Sequence, residues 1–192
     1  TDVTALISTP FVEELYLGGN QLVSLAPLVS LSNLRKLGLQ SNSIDNLTSL
    51  SGLANLEVLD LADNRFNSIA ALSGLNKLVH VDITASFFFG GQVSDLSPLS
   101  GKTALTHLIF TSQKVNSLTA LATNTGLTHV FASFNLITSL EGTENWANIA
   151  QFAVAGNQVT DLAPLVENAG VGAGDLLYLT NNPLSQTALC EQ

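Results

Sequence analysis

The chain has 192 residues, of which 46% are hydrophobic and 11% are charged, so it can bury a sizeable core as one domain, 1–192. Its 15 acidic side chains against six Lys and Arg give a formal net charge of -9, which repels a phosphate backbone. No run approaches the roughly 20 apolar residues of a membrane helix, and no basic-then-apolar signal segment opens the chain. We therefore expect neither nucleic-acid binding nor membrane insertion.

A repeat of 22 residues organises the chain from its start. Asn20, Asn42 and Asn64 are evenly spaced, and each lies in the same apolar frame, LxxLxLxxNxIxxLxxLxxLxx. Residues 1–11 read as a partial repeat, and repeats are predicted to start near residues 12, 34, 56, 78, 105, 127, 149 and 174, the last of them degenerate. Because the chain begins inside a repeat and contains no Met, we expect it to be a mature or excised piece.

Two insertions interrupt the period. Five extra residues lie between Ile83 and Val93, within a segment that contains three consecutive Phe, and about three extra residues lie within residues 166–175. The Asn position is lost at the first insertion and is taken by Gln113 one repeat later. We expect a local bulge there.

The frame itself predicts the architecture. The LxL segment is a short strand with alternate side chains inward, and the Asn side chain offers a donor and an acceptor to the turning backbone. No single repeat buries its Leu face alone, so neighbours must stack. The prediction is a solenoid with short parallel strands on the concave face and loops, 3-10 turns or short helices on the convex face.

The segments VTDLAPL at 159–165 and VSDLSPL at 93–99 are similar to the convex side of the internalins. The chain therefore resembles the bacterial leucine-rich repeats of 22 residues, the internalin-like class. That resemblance implies the α/β leucine-rich-repeat solenoid fold, binding of a ligand or partner by the concave face, and a secreted or cell-surface location.

Every histidine falls in one column of the predicted concave face. The third position of the frame holds His80, His107 and His129 on consecutive repeats, about 4.8 Å apart. His107 and His129 could share a metal ion with Asp60 or Asp82 as a further ligand, or the column could sense pH or contact a ligand. The alternative is that duplicated residues merely stack.

The fifth position of the frame changes from acidic to apolar along the chain. It holds Asp60 and Asp82, then Ile109, Phe131 and, in the last repeat, Tyr178, while Phe134 joins them from an eighth position. Exposed aromatics gathered on one face indicate a binding surface, unless they pack on each other. Phe88, in the inserted loop, either presents its ring to a partner or folds onto the solenoid flank.

No nucleophile with a base and an orienting acid, and no phosphate-binding or metal motif, is recognisable in the sequence. We therefore predict a non-enzymatic module without a cofactor, monomeric by default, that binds a protein through the residues named in the two columns. The alternatives are a small-ligand module, for a glycan or a divalent metal on the same face, or a structural spacer in a larger surface protein.

Overall fold

The computed structural model describes residues 3–86 and 90–185. Eight parallel strands form one open sheet in which each strand pairs with the next along the chain. They are β1 (Glu14–Tyr16), β2 (Lys36–Gly38), β3 (Val58–Asp60), β4 (His80–Asp82), β5 (His107–Ile109), β6 (His129–Phe131), β7 (Gln151–Ala153) and β8 (Leu176–Tyr178). Each strand begins two residues after a predicted repeat start, and the solenoid architecture is confirmed.

Short helical turns line the convex side. Among the described residues, six are 3-10 helices, at Thr4–Ser8, Ala26–Leu28, Thr48–Leu50, Ala70–Leu72, Ser97–Leu99 and Thr119–Leu121, and one is a short α-helix, α1, at Ala163–Val166. Local sequence starts several of them: Asp95 accepts a hydrogen bond from the amide of Ser97 (2.8 Å), and Pro98 supplies the backbone angle of a first turn.

No helix within residues 3–86 and 90–185 combines the length and the apolar character needed to cross a membrane.

One continuous apolar core runs through the stack of repeats. The central residue of each inner strand points into it, so that Leu59, Val81 and Leu108 are fully buried. Leu15 of β1 and Leu177 of β8, each with a neighbouring strand on one side only, are partly buried. Burial of each Leu therefore depends on the adjacent repeat.

The Asn side chains bond to the turning backbone, as the sequence predicts, and they also tie adjacent repeats together as an Asn ladder. The Nδ2 of Asn135 donates to Ala132 O in its own repeat (3.0 Å) and to Phe110 O in the preceding one (2.9 Å), while its Oδ1 accepts the amide of Val115 (3.0 Å). Asn42, Asn64 and Asn157 make the same set of bonds. Each Asn thus satisfies buried backbone groups that would otherwise be unpaired.

Gln113 carries the ladder across the first insertion. Its Oε1 accepts the amide of Val93 (3.0 Å), and its Nε2 donates to Ile83 O. Gly91 gives the longer side chain its space, since a Cβ there would lie 2.1 Å from Gln113 Oε1. Strands β4 and β5 stay in register, so the bulge expected at this point does not reach the sheet.

A second ladder, which the sequence analysis missed, lies on the return side of the later repeats. Where the first repeats bury a Leu, these bury Lys102, Asn124, Trp146 and Asn168. Each donates a side-chain N–H to a carbonyl of the preceding repeat, for example Asn124 Nδ2 to Leu99 O (2.8 Å) and Trp146 Nε1 to Leu121 O (3.1 Å). The 22-residue spacing of these four positions was the available signal.

Replacing Asn135 with Ala should lower the free energy of unfolding by about 2 to 4 kcal/mol, because one amide N–H and two carbonyls lose a buried partner. Asn20→Ala is the matched control: Asn20 is exposed and donates only to carbonyls of its own repeat, so a loss below about 1 kcal/mol is expected. Urea unfolding followed by circular dichroism measures both. Equal losses for the two variants would contradict the role of the ladder between repeats.

Candidate functional site

The concave face consists of the first and third residues of every strand, because the second points into the core. The sheet register places each set in a straight column. The third-position column is Glu14, Lys36, Val58, His80, His107, His129, Gln151 and Leu176. The fifth-position column is Tyr16, Gly38, Asp60, Asp82, Ile109, Phe131, Ala153 and Tyr178.

The three histidine rings stack face to face. The ring centroids of His80 and His107 are 5.5 Å apart with planes at 24°, and those of His107 and His129 are 4.4 Å apart with planes at 5°. Because the rings are stacked and similarly oriented, their nitrogen atoms point in one direction and do not converge on a shared metal ion. In the part of the chain that the structure describes, no group of three or more His, Cys, Asp or Glu side chains could hold a metal ion. The geometry gives the metal hypothesis for His107 and His129 no support.

A threonine hydroxyl orients the imidazole of His107, and another orients the imidazole of His129. Thr106 Oγ1 lies 2.9 Å from His107 Nδ1 and 3.1 Å from Val79 O, and Thr128 Oγ1 makes the same contacts with His129 Nδ1 (2.9 Å) and a backbone carbonyl (3.0 Å). A hydroxyl has one proton. Both contacts are hydrogen bonds only if the hydroxyl donates to the carbonyl and Nδ1–H donates to the hydroxyl, which leaves Nε2 unprotonated as an acceptor.

Two carboxylates beside the histidines have no cationic partner. Asp60 accepts the amide of Ala62 (3.0 Å) and Asp82 the amide of Thr84 (2.8 Å), and no Lys or Arg of the described residues forms an ion pair with either. Burial raises the pKa of Asp82 against the lowering effect of the Thr84 hydrogen bonds. The nearby Asp60 raises this pKa further, and the nearby His80 lowers it.

The acidic residues nearer the start of the chain are paired instead. Arg35 donates to both carboxylate oxygens of Glu57 (3.0 and 3.0 Å), and Lys36 Nζ lies 2.9 Å from Glu14 Oε1. These hydrogen bonds lower the pKa of each carboxylate. The structure therefore separates a neutralised set of acids from Asp60 and Asp82, which form no ion pair with a Lys or Arg of the described residues.

The apolar patch, defined as Ile109, Phe131, Phe134 and Tyr178, lies on the C-terminal half of the same face. Phe134 and Tyr178 are 54% and 45% exposed, and Ile109 and Phe131 are half-buried. Phe134 also has a φ of 58°, a left-handed conformation that is unfavourable by about 1 kcal/mol or more for a bulky residue.

Glycine makes room for the Phe134 ring. A Cβ at Gly156, the equivalent residue of the next repeat, would lie 2.6 Å from a ring carbon of Phe134. Elsewhere this strained position holds small or polar residues such as Ser41, Asp63 and Ser112. The sequence analysis did not identify Gly156 or the two threonines as part of the face. Phe88, the remaining predicted contact, lies outside the described residues.

Comparison with known proteins agrees with this geometry. A family model described as "Leucine rich repeat" matches residues 32–86, and another, "Leucine Rich repeats (2 copies)", matches residues 10–52. The chain therefore contains leucine-rich repeats, and its fold is that of a leucine-rich-repeat solenoid. No curated protein sequence matches it. The comparison with solved structures is therefore a comparison of folds.

Two solved internalin structures from Listeria monocytogenes resemble this leucine-rich-repeat protein. An internalin, InlF, is 23% identical with a TM-score of 0.59, over 95% of this chain and 64% of that one. Internalin C2 is 24% identical with a TM-score of 0.63, over 96% of this chain and 84% of that one. The fold is internalin-like, and this chain spans just under two thirds of the length of InlF.

A plant peptide hormone receptor, RGFR1, solved in complex with RGF2, is 19% identical with a TM-score of 0.79, over 94% of this chain and 30% of the receptor. At these identities the likeness establishes the fold. The fold is one that commonly mediates protein–protein interaction through its concave surface.

The tautomer of His107 and His129 is testable by NMR. At about pH 8, where imidazole is neutral, ¹⁵N shifts of both rings should show a protonated Nδ1 and an unprotonated Nε2, because each Nδ1–H donates to a threonine hydroxyl. Thr106→Val keeps the β-branched shape and removes the acceptor, so the His107 signals alone should move toward the Nε2–H form. A protonated Nε2 in the wild-type protein would refute the assignment.

The histidine stack should make stability depend on pH. Burial lowers the pKa of His107 below its usual 6.5, and the charges of His129 and His80 lower it further. The unfolded chain then binds the proton more readily, so this contribution to stability is lost as the pH falls from about 6.5 through the folded pKa. The raised pKa of Asp82 acts in the opposite sense, since the folded state holds that proton more tightly above the usual 3.8.

Urea unfolding of the wild-type protein and of His107→Gln, from about pH 8 to about pH 5, isolates the histidine contribution, since Asp82 is common to both proteins. Gln already occupies this column at Gln151. The wild-type protein should lose more stability than the variant over this range. Parallel curves for the two proteins would show that His107 titrates alike in the folded and unfolded states.

Proposed function

We propose that this leucine-rich-repeat protein is a non-enzymatic module, outside the cell or on its surface, that binds a protein partner through the concave face. The observation that carries the proposal is the apolar patch: the side chains of Phe134 and Tyr178 are 54% and 45% exposed, beside the half-buried Ile109 and Phe131. Exposed aromatics on a rigid surface bury a large area on binding at low entropic cost. The extracellular location rests on the internalin-like fold and the weakly charged surface.

The strained Phe134 supports the same reading. Ser, Asp and Gly fill the equivalent positions, so the backbone does not require an aromatic residue there. An exposed Phe in a left-handed conformation is unfavourable for folding. Contact with a partner would account for an aromatic residue at this position. The backbone of the patch is held by hydrogen bonds: Ile109, Phe131 and Tyr178 lie on strands of the sheet, and the amide of Phe134 donates to Ala155 O (2.8 Å).

The hydroxyl–imidazole contacts do not favour catalysis. A nucleophilic hydroxyl gives its proton to the imidazole, whereas the Thr106 and Thr128 hydroxyls donate to backbone carbonyls. Among the described residues, no carboxylate is hydrogen-bonded to a histidine ring to orient it. The face therefore suits recognition.

The similar structure of a plant peptide hormone receptor was solved in complex with RGF2, and a protein partner here is compatible with that likeness. A glycan on the same face and a spacer role remain the competing functions. They predict different results in the experiment that follows.

Replacing Phe131 and Phe134 together with Ser should abolish capture of the partner and leave the fold intact, since Ser already occupies the Phe134 position at Ser41 and Ser112. The wild-type protein and the variant are immobilised, exposed to lysate and culture fluid of the source organism, and their retained proteins identified by mass spectrometry. The control variant, Val23→Ser with Val29→Ser, removes two exposed apolar side chains outside the sheet.

A protein retained by the wild type and the control but lost from the Phe variant supports the proposal and names the partner. Equal retention by all three proteins places the interaction elsewhere on the molecule. If no protein is enriched on any column, the glycan or spacer function takes precedence.

A further inference from the structure

We propose that the concave face binds a polypeptide segment that presents an arginine side chain to Asp60 and Asp82 and an apolar side chain to Ile109 and Phe131. This inference rests on the proposed function and specifies the chemistry of the partner.

The positive charges of the chain lie away from Asp60 and Asp82. The chain has six Lys and Arg, and all six lie within the described residues. Arg35 and Lys36 pair with glutamates, Lys77 and Lys114 donate to side-chain amides, and Lys102 is buried on the return side. None of the six, including the exposed Arg65, forms an ion pair with Asp60 or Asp82. The middle of the face therefore carries two carboxylates that no Lys or Arg neutralises, although the imidazole of His80, when protonated, acts on Asp82 as a positive charge.

Hydrogen-bond acceptors lie side by side in the middle of the face. We define the acceptor row as the carboxylates of Asp60 and Asp82 with the Nε2 atoms of His107 and His129. The row has acceptors and no donors, because each Nδ1–H is used by a threonine and ionised carboxylates only accept. No described residue donates to these Nε2 atoms. A complementary partner must supply several donors at once.

Arginine meets that requirement better than lysine. Its planar group carries five N–H donors in a fixed fork and bears the positive charge that the carboxylates lack. Asp60 and Asp82 are paired residues of β3 and β4, about 4.8 Å apart along the sheet. One guanidinium can reach both carboxylates, and its flat face can lie against the neighbouring histidine ring.

The fifth-position column defines where the apolar side chain of the partner lies. Asp82 is paired with Ile109 in the register of β4 and β5, and Ile109 with Phe131. The column thus changes from ionic to apolar between adjacent strands. The centres of the two pairs are two strand spacings apart, about 10 Å, which equals about three residues of an extended peptide. The partner segment should carry Arg two to four residues from an aromatic or aliphatic residue.

A random peptide library tests this chemistry directly. Peptides of about 12 residues span about 40 Å when extended, close to the length of the eight-stranded face. The library is selected on the immobilised wild-type protein at about pH 8, where the imidazoles are neutral. The selected sequences should be enriched in Arg at the stated distance from an apolar residue, relative to a selection on the bare support.

Variants and a peptide analogue then locate the contact. Asp60→Asn with Asp82→Asn should weaken binding of the best selected peptide at least about tenfold, as should replacing its Arg with citrulline, which keeps the shape and removes the charge. Glu141→Gln with Glu167→Gln removes two charges from exposed positions outside the sheet and should leave the affinity within about twofold. Calorimetry measures the affinities.

The other outcomes overturn the inference. Peptides that carry no basic residue and depend only on Phe131 and Phe134 would refute the arginine site while leaving the proposed function standing. Enrichment of Lys and Arg alike, with equal losses in both double variants, would reduce the effect to overall charge. A library that yields nothing above the bare support would refute a linear partner segment, whereas the pull-down with the Phe variant decides the proposed function separately.

Discussion

The stacking of one repeat on the next is the constraint on which the whole molecule depends. A three-residue strand and one helical turn bury too little apolar surface to be stable alone. Leu59, Val81 and Leu108 are fully buried only because repeats lie on both sides of them. The same stacking buries backbone N–H and C=O groups, and the Asn ladder supplies their partners. Apolar burial and polar satisfaction therefore arise at the same contacts.

Stacking also explains how the chain tolerates its irregularities. Five additional residues enter between Ile83 and Val93, yet β4 and β5 remain paired in register. The longer Gln113 side chain reaches the groups that Asn serves elsewhere, and Gly91 leaves room for it. In the later repeats, polar side chains replace Leu on the return side and donate hydrogen bonds to carbonyls of the preceding repeat. The sheet thus stays paired across the insertion, and the concave face stays continuous.

A continuous face allows its columns to vary without loss of stability. Since the core takes only the central residue of each strand, the outer residues are free to differ from repeat to repeat. The result is an ordered surface: ion pairs near β1 to β3, the carboxylates of Asp60 and Asp82 beside stacked imidazoles, and the apolar patch toward the C-terminal end. The proposed partner follows from this order, because a binding segment that lies along the columns must match charge and apolar character in the same sequence.

The sequence by itself determined the repeat, the eight strands and both columns, including the alignment of His80, His107 and His129 across an insertion. It could do so because a stacked repeat converts spacing along the chain into position in space. Only the tertiary structure decided which acids are paired, that Thr106 and Thr128 orient the imidazoles, that Gly156 accommodates Phe134, and that Lys102 and Asn124 begin a second ladder. These features depend on side-chain rotamers and on contacts between residues more than 20 positions apart, which the packing of neighbouring repeats selects and a linear pattern does not contain.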